Sequence, residues 1–302
     1  MIAKPQVLRA DDPQPSEEFL RREALGEVPP DEARRYRAFL RRVVKEFLTH
    51  PVVVNNTYTK WFAKGEATDD ELRHFTTQFS VFSNQFLIAQ LRKMIAADSL
   101  ETMRAAKEIL ANEIGVIFKG RSKGEVDPEL VSTEGSVDGG TFRFAAGHFE
   151  WLVKFAAPLG LTFEDLGKRK HGTPSTLFFC DELIRVYGSD DANVGSGAGF
   201  AIENWAAAGF WQELEDGLKI IQRRLPELSL GFFAWHNRLE AQHAGHTIAE
   251  LEGTYFEDGF DEERFLEGGR AMLRALSAFW FGLDKDRVYG VRRLLDPAVT
   301  PS

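Results

Sequence analysis

Phenylalanines at positions 75, 79, 82 and 86 follow the tetrapeptide Thr68-Asp69-Asp70-Glu71. A strand would scatter these four rings over both of its faces, whereas a helix gathers them on one. Thr68 with Glu71 three residues on is the pattern that caps a helix start reciprocally. The same kind of signal recurs along the chain. Asp31 after two prolines predicts an N-cap, Asp98 or Ser99 caps the run to Phe118, and Thr173-Pro174 places a cap and a proline at a first turn. No sustained two-residue alternation, no hairpin dipeptide between β-branched runs and no internal repeat interrupts the helical reading.

The expectation is one all-α domain of about seven or eight helices over residues 29–302, preceded by a flexible, Pro- and charge-rich arm at 1–28. Residues 119–140, rich in Gly, Ser and acids, read as a long loop. The segment from Thr141 to Gly160 reads as a helix, as does the run from Phe200 to Ile221.

With 302 residues and 43% hydrophobic composition, the chain can bury a sizeable core. Its net charge of -9 argues against nucleic-acid backbones and anionic membranes as partners. The single cysteine, Cys180, excludes an internal disulfide framework and fits a reducing compartment. The first residues lack an apolar signal region, and no apolar run reaches the ~20 residues of a membrane span. The protein is expected to be cytoplasmic.

Chemistry enters where ionisable residues fall on apolar faces. Taking His236 as zero, Glu240 lies about 40° and His243 about 20° away around a helix, while His246 is turned about 80°. Phe232, Phe233, Leu239 and Leu251 share the direction of the first three. Glu113 falls with Ala106, Ile109, Leu110 and Ile117; His148 with Phe144, Trp151, Leu152 and Phe155; Glu203 with Phe200, Phe210, Leu214 and Ile221. A carboxylate there costs several kcal/mol unless it is paired, protonated or bound to metal. No arginine or lysine shares these faces. Three carboxylates and three neutral imidazoles suit two divalent ions, with iron, manganese or zinc favoured over calcium or magnesium.

These segments resemble those of the haem-oxygenase-like di-iron oxidases and oxygenases, relatives of the thiaminase-like and pyrroloquinoline-quinone-synthase-like proteins. The family pattern is a glutamate, a histidine, a second glutamate on a later helix, then His-xxx-Asp-xx-His. The matching residues are Glu113 in "ANEIG", His148 in "GHFEWL", Glu203 in "AIENW", and His236, Glu240 and His243 in "HNRLEAQH". Glu240 stands where Asp is usual. The resemblance covers about residues 68–283 and implies a haem-oxygenase-like bundle of about seven core helices. It implies two iron ions held by Glu113, His148, Glu203, His236, Glu240 and His243, with O₂ as co-substrate. The implied partners are a small organic substrate and an external electron donor, with a homodimer left open.

The resemblance implies N-oxygenation of an amine, or C–H desaturation with oxidative fragmentation. The long interval from Glu113 to His148 resembles the N-oxygenating members, in which an intervening acid adds a ligand; Glu134 and Asp138 are the candidates. Self-modification through a tyrosine and a lysine is disfavoured, because Glu213 stands where the lysine would be. Two other readings are a metal-free thiaminase-like hydrolase using Cys180 and a non-catalytic binding protein of the same fold. A buried, inert thiol is the plain expectation for Cys180. His74 and His171 are expected to be exposed, and the phenylalanine stripe to be core. The Gly195–Gly199 run carries no phosphate-loop signature.

Overall fold

The computed structural model describes residues 15–118 and 142–290, and the side chains of all of these except 117–118, 142–144, 239–247 and 249–250. Twelve α-helices lie among them: α1 Glu17–Ala24, α2 Pro30–Val43, α3 Pro51–Val54, α4 Thr57–Phe62, α5 Asp69–Ile95, α6 Leu100–Glu113, α7 His148–Ala156, α8 Pro174–Tyr187, α9 Ala192–Trp205, α10 Trp211–Ile221, α11 Gly231–Tyr255 and α12 Glu262–Tyr289. A two-stranded antiparallel ribbon, β1 Val116–Phe118 and β2 Phe142–Phe144, joins α6 to α7.

The starts of these helices follow their caps. Thr68 Oγ accepts the Glu71 N–H, and Glu71 in turn accepts the Thr68 N–H at 2.8 Å. Ser99 and Thr173 cap α6 and α8 through Thr102 and Thr176. Asp31 is not a cap. Helix α2 begins at Pro30, whose missing N–H costs nothing in a first turn, so Asp31 sits inside that turn.

Helix α12 is the central element and packs on α8 and α9; α5 packs on α8, α6 and α7. The α9–α12 contact is backbone to backbone. A methyl on Gly197 would lie 1.8 Å from the Phe265 carbonyl oxygen, and one on Gly268 2.0 Å from that of Val194. Gly197, inside α9, therefore serves close helix packing. Phe75 and Phe79 are fully buried, and Phe82 and Phe86 pack against them as core.

Several sequence expectations change. Residues 15–28 are not a loose arm. Helix α1 docks with Phe19 fully buried against Tyr36 and Phe256. Ser16 anchors it, donating its backbone N–H at 2.9 Å to the buried Glu252 carboxylate, which also accepts the Tyr36 hydroxyl. Residues 1–14 lie outside the described residues, as does the loop expected over 119–140.

His74 is buried, not exposed, and its Nε2 lies 3.0 Å from Asp286. His171 is half-buried, with Nε2 2.8 Å from the Glu164 carbonyl oxygen. The single helix expected from Phe200 to Ile221 is broken by a π-helical turn, Ala206–Phe210, in which Gly209 has φ 101°. The helical phase does not carry through it, so Leu214 and Ile221 do not share a continuous stripe with Glu203.

Candidate metal centre

Glu113 is the last residue of α6 and His148 the first of α7. Ile117 and Phe144, expected to continue those helices, lie instead in the ribbon, where Val116 pairs with Phe144. Gly115 makes the junction. It has φ 74°, and a methyl there would stand 2.3 Å from the Ala145 carbonyl oxygen. The Ala145 N–H donates to the Gly115 carbonyl at 2.7 Å. Gly147 fits as closely: a methyl there would meet the Glu113 carbonyl oxygen at 3.0 Å. Its N–H donates to Glu150 at 2.9 Å, which starts α7 with His148 in the first turn.

The ribbon thus brings two distant residues into contact. Nδ1 of His148 lies 2.9 Å from Oε2 of Glu113. That approach lacks the alignment of a hydrogen bond, and neither ring nitrogen of buried His148 has a hydrogen-bond partner among the described residues. His236, on α11, completes the group. Its ring centroid is 4.8 Å from that of His148, and one ligand atom from each of Glu113, His148 and His236 lies within 4.8 Å of the others.

His236 is fixed as a ligand would be. Its Nδ1 is 2.7 Å from the Phe232 carbonyl oxygen. A carbonyl has no proton to give, so Nδ1 carries the N–H, and the lone pair of neutral His236 is on Nε2. Trp211 stacks on the imidazole at 4.4 Å with planes 19° apart, and Phe232 covers it at 4.3 Å. Trp151 lies 4.8 Å from His148 and also lines a cleft of about 520 Å³ between α7, α10 and α11. Lys154, Gln212, Glu215, Asn237 and Arg238 give that cleft a polar wall.

The other expected ligands stand apart from this group or outside the described side chains. Glu203 is half-buried on α9, which packs on α11; its carboxylate is not part of the 4.8 Å group and acts on Tyr187. Burial first, and Glu203 among the charged neighbours, push the Tyr187 phenol up. Positions 240 and 243 follow 236 by one and two turns of the same unbroken helix, but their side chains lie outside the described residues, as does that of His246. Glu134 and Asp138 also lie outside them.

Cys180 is 0% exposed, and burial pushes its thiol up to about 12. A thiol so held is a poor nucleophile at neutral pH, which argues against a thiaminase-like hydrolase using Cys180.

The overall fold is found in other proteins. A domain of unknown function with a haem-oxygenase-like fold from Shewanella denitrificans OS217 superposes with a TM-score of 0.54 at 17% identity, covering 82% of this chain and 90% of that one. The chain has the haem-oxygenase-like fold. A CADD-like protein of unknown function from Nostoc punctiforme PCC 73102 matches this haem-oxygenase-like chain with a TM-score of 0.57 at 13% identity, over 85% of it and 98% of the other. A TenA homolog from Pseudomonas syringae pv. tomato str. DC3000 gives 0.55 at 11%, over 82% and 91%. No protein-family model matches the sequence. No curated protein matches it at a significant level. No helix among the described residues of this haem-oxygenase-like chain is long and apolar enough to cross a membrane.

Proposed function

We propose that the protein is a non-haem, O₂-dependent di-iron oxidoreductase acting on a small organic substrate. The observation that carries the reading is His148: a buried imidazole with both nitrogens unpartnered, 2.9 Å from a carboxylate and facing a second imidazole. Orphaned buried polar groups are costly and call for a cause. A cation accepting lone pairs from both rings and the carboxylate supplies one. Two imidazoles and one carboxylate suit non-haem ferrous iron. Glu203, Glu240 and His243 are the proposed ligands of a second ion, on α9 and α11.

Bound iron supplies one-electron chemistry with O₂. The chain's own residues do the rest. The His236 contact with Phe232 holds the tautomer and ring orientation, as outer contacts to metal-binding histidines commonly do. Trp151, Trp211 and Phe232 keep water from the imidazoles. The cleft beside Trp151 is of the size that small-molecule sites commonly have, about 300–1,000 Å³, and its polar wall orients a substrate. An amine is favoured because the Glu113–His148 interval resembles that of the N-oxygenating members. C–H desaturation is the alternative at the same site.

A second reading is a single iron, favoured by the fact that Glu113, His148 and His236 alone make a complete two-histidine, one-carboxylate set. Anaerobic loading with ferrous iron separates the two. About two irons per chain and a transient visible absorption on mixing with O₂ are expected for the di-iron centre. One iron with O₂ reactivity supports the single-ion reading. A single zinc without O₂ reactivity, or no metal at all, overturns both and leaves a non-catalytic binding protein of this fold.

A further inference from the structure

A continuous run of aromatic rings leads from His236 to the protein surface. Trp211 lies on the imidazole with centroids 4.4 Å apart. Phe210 follows at 4.5 Å, and Trp205 lies 4.1 Å beyond it with planes 13° apart. Trp280 stands 6.1 Å from Trp205 and 5.8 Å from Phe210. Tyr58 is 5.7 Å from Trp280, and Trp61 is 5.3 Å from Tyr58. The interior rings are buried. Trp61 is half-buried, with the Arg287 guanidinium 4.5 Å over its face.

The break between α9 and α10 makes the run continuous. In a regular α-helix, residues five apart point about 140° away from each other. The π turn at Ala206–Phe210 brings positions 205 and 210 onto one side, and their rings stack.

The indole N–H groups of Trp205, Trp211 and Trp280 are buried and have no hydrogen-bond partner among the described residues. Such orphans cost stability; Trp151 and Trp235, off the run, share the feature, so it does not mark the run by itself but sets what an oxidised ring on it can do. An oxidised indole is a far stronger acid than the neutral ring. Given an acceptor it loses its proton, and the missing electron is trapped as a neutral radical. Without one it stays a radical cation and can be refilled by the next ring.

We propose that Trp211, Trp205, Trp280 and Trp61, bridged by Phe210 and Tyr58, carry single oxidising equivalents from the metal centre to the surface. The proposal rests on the metal reading above. Trp211 would give one electron to a metal bound at that site once O₂ had oxidised it, and the metal would be reduced by one. Trp205, Trp280 and Trp61 refill the vacancy in turn. Trp61 recovers its electron from a one-electron reductant in solution, of the thiol or ascorbate class, which is oxidised by one. No proton moves along the run. The relay discharges the centre when O₂ has reacted and no substrate is bound.

The test injects the vacancy at the surface end. A ruthenium polypyridyl photosensitiser on Lys60→Cys places a one-electron oxidant next to Trp61 after a flash with an oxidative quencher, and buried Cys180 does not take the label. In metal-free protein the expected product is an indole radical cation. Adding Trp280→Phe should hold the vacancy on Trp61, where water removes the proton and the neutral radical appears. A neutral Trp61 radical alone in the labelled parent overturns the relay, whatever the metal content. In protein loaded with ferrous iron the same flash should end as ferric iron. Trp205→Phe and Trp280→Phe should slow its appearance by roughly tenfold, while Trp235→Phe leaves it unchanged. Trp61→Phe, at the half-buried end, gives the same reading should a core variant fail to fold. Equal rates at equal iron content overturn the relay. Failure to bind iron overturns the metal reading, and the metal-free arm then decides the relay by itself.

Discussion

His148 Nδ1 lies 2.9 Å from Glu113 Oε2, where the end of one helix meets the start of another across a two-stranded ribbon. The contact satisfies neither ring nitrogen. Metal-free protein therefore carries a buried imidazole with no hydrogen bond to either nitrogen, and metal binding removes that cost.

His148→Ala should accordingly leave metal-free protein as stable as the parent or slightly more so. It should also abolish the stabilisation on adding ferrous iron, which is about 2.7 kcal/mol for a ligand at a hundred times its Kd. Anaerobic thermal unfolding with and without iron checks this. Equal metal-induced stabilisation in parent and variant would sink the assignment of His148 as a ligand.

Gly115→Ala separates backbone strain from site geometry. Any left-handed residue other than glycine costs about 1–2 kcal/mol, and here the methyl also meets the Ala145 carbonyl at 2.3 Å. Gly160, with φ 76° and nothing within 4 Å of such a methyl, is the matched control. Both variants should lose stability in denaturant unfolding, Gly115→Ala more. Only Gly115→Ala should weaken iron binding, because only it displaces Glu113 from His148.

Positions 236, 240 and 243 share one face of unbroken α11, and 246 is turned away. His243→Ala should drop iron below about two per chain and abolish O₂ reactivity. His246→Ala should keep both, or lose about 10- to 100-fold if it supports a ligand. Iron content and O₂ consumption, compared side by side, decide it; the reverse outcome would show that the helical phase is misassigned.

Cys180→Ser should leave turnover nearly intact and lower stability slightly, the hydroxyl being the poorer core group. The thiol's value is raised from about 9.0 in an open chain to about 12 in the fold. The unfolded chain therefore ionises first. The thiol's contribution to stability is fully present below about pH 9 and is lost as pH rises through about 12. Across that window unfolding free energy should fall more steeply in the parent than in Cys180→Ser. Equal slopes would mean the thiol is not buried as described.

The helical class, the caps at Thr68, Ser99 and Thr173, and the phenylalanine core were legible in the sequence, because each depends on residues within a turn or two of one another. The same local rule picked out Glu113, His148 and His236 as ionisable groups on apolar faces. It failed wherever a helix was extended past its true end: Ile117 and Phe144 belong to a ribbon, and Gly209 breaks the run after Glu203. It also failed for His74, whose partner Asp286 lies on another helix far along the chain. The tertiary structure alone decided that Glu113 and His148 meet, that His236 presents Nε2, and that Trp205 and Phe210 stack. Periodicity gives the face on which a side chain stands. Which faces converge depends on ribbon register, glycine contacts and a π turn, whose energies come from residues far apart in sequence.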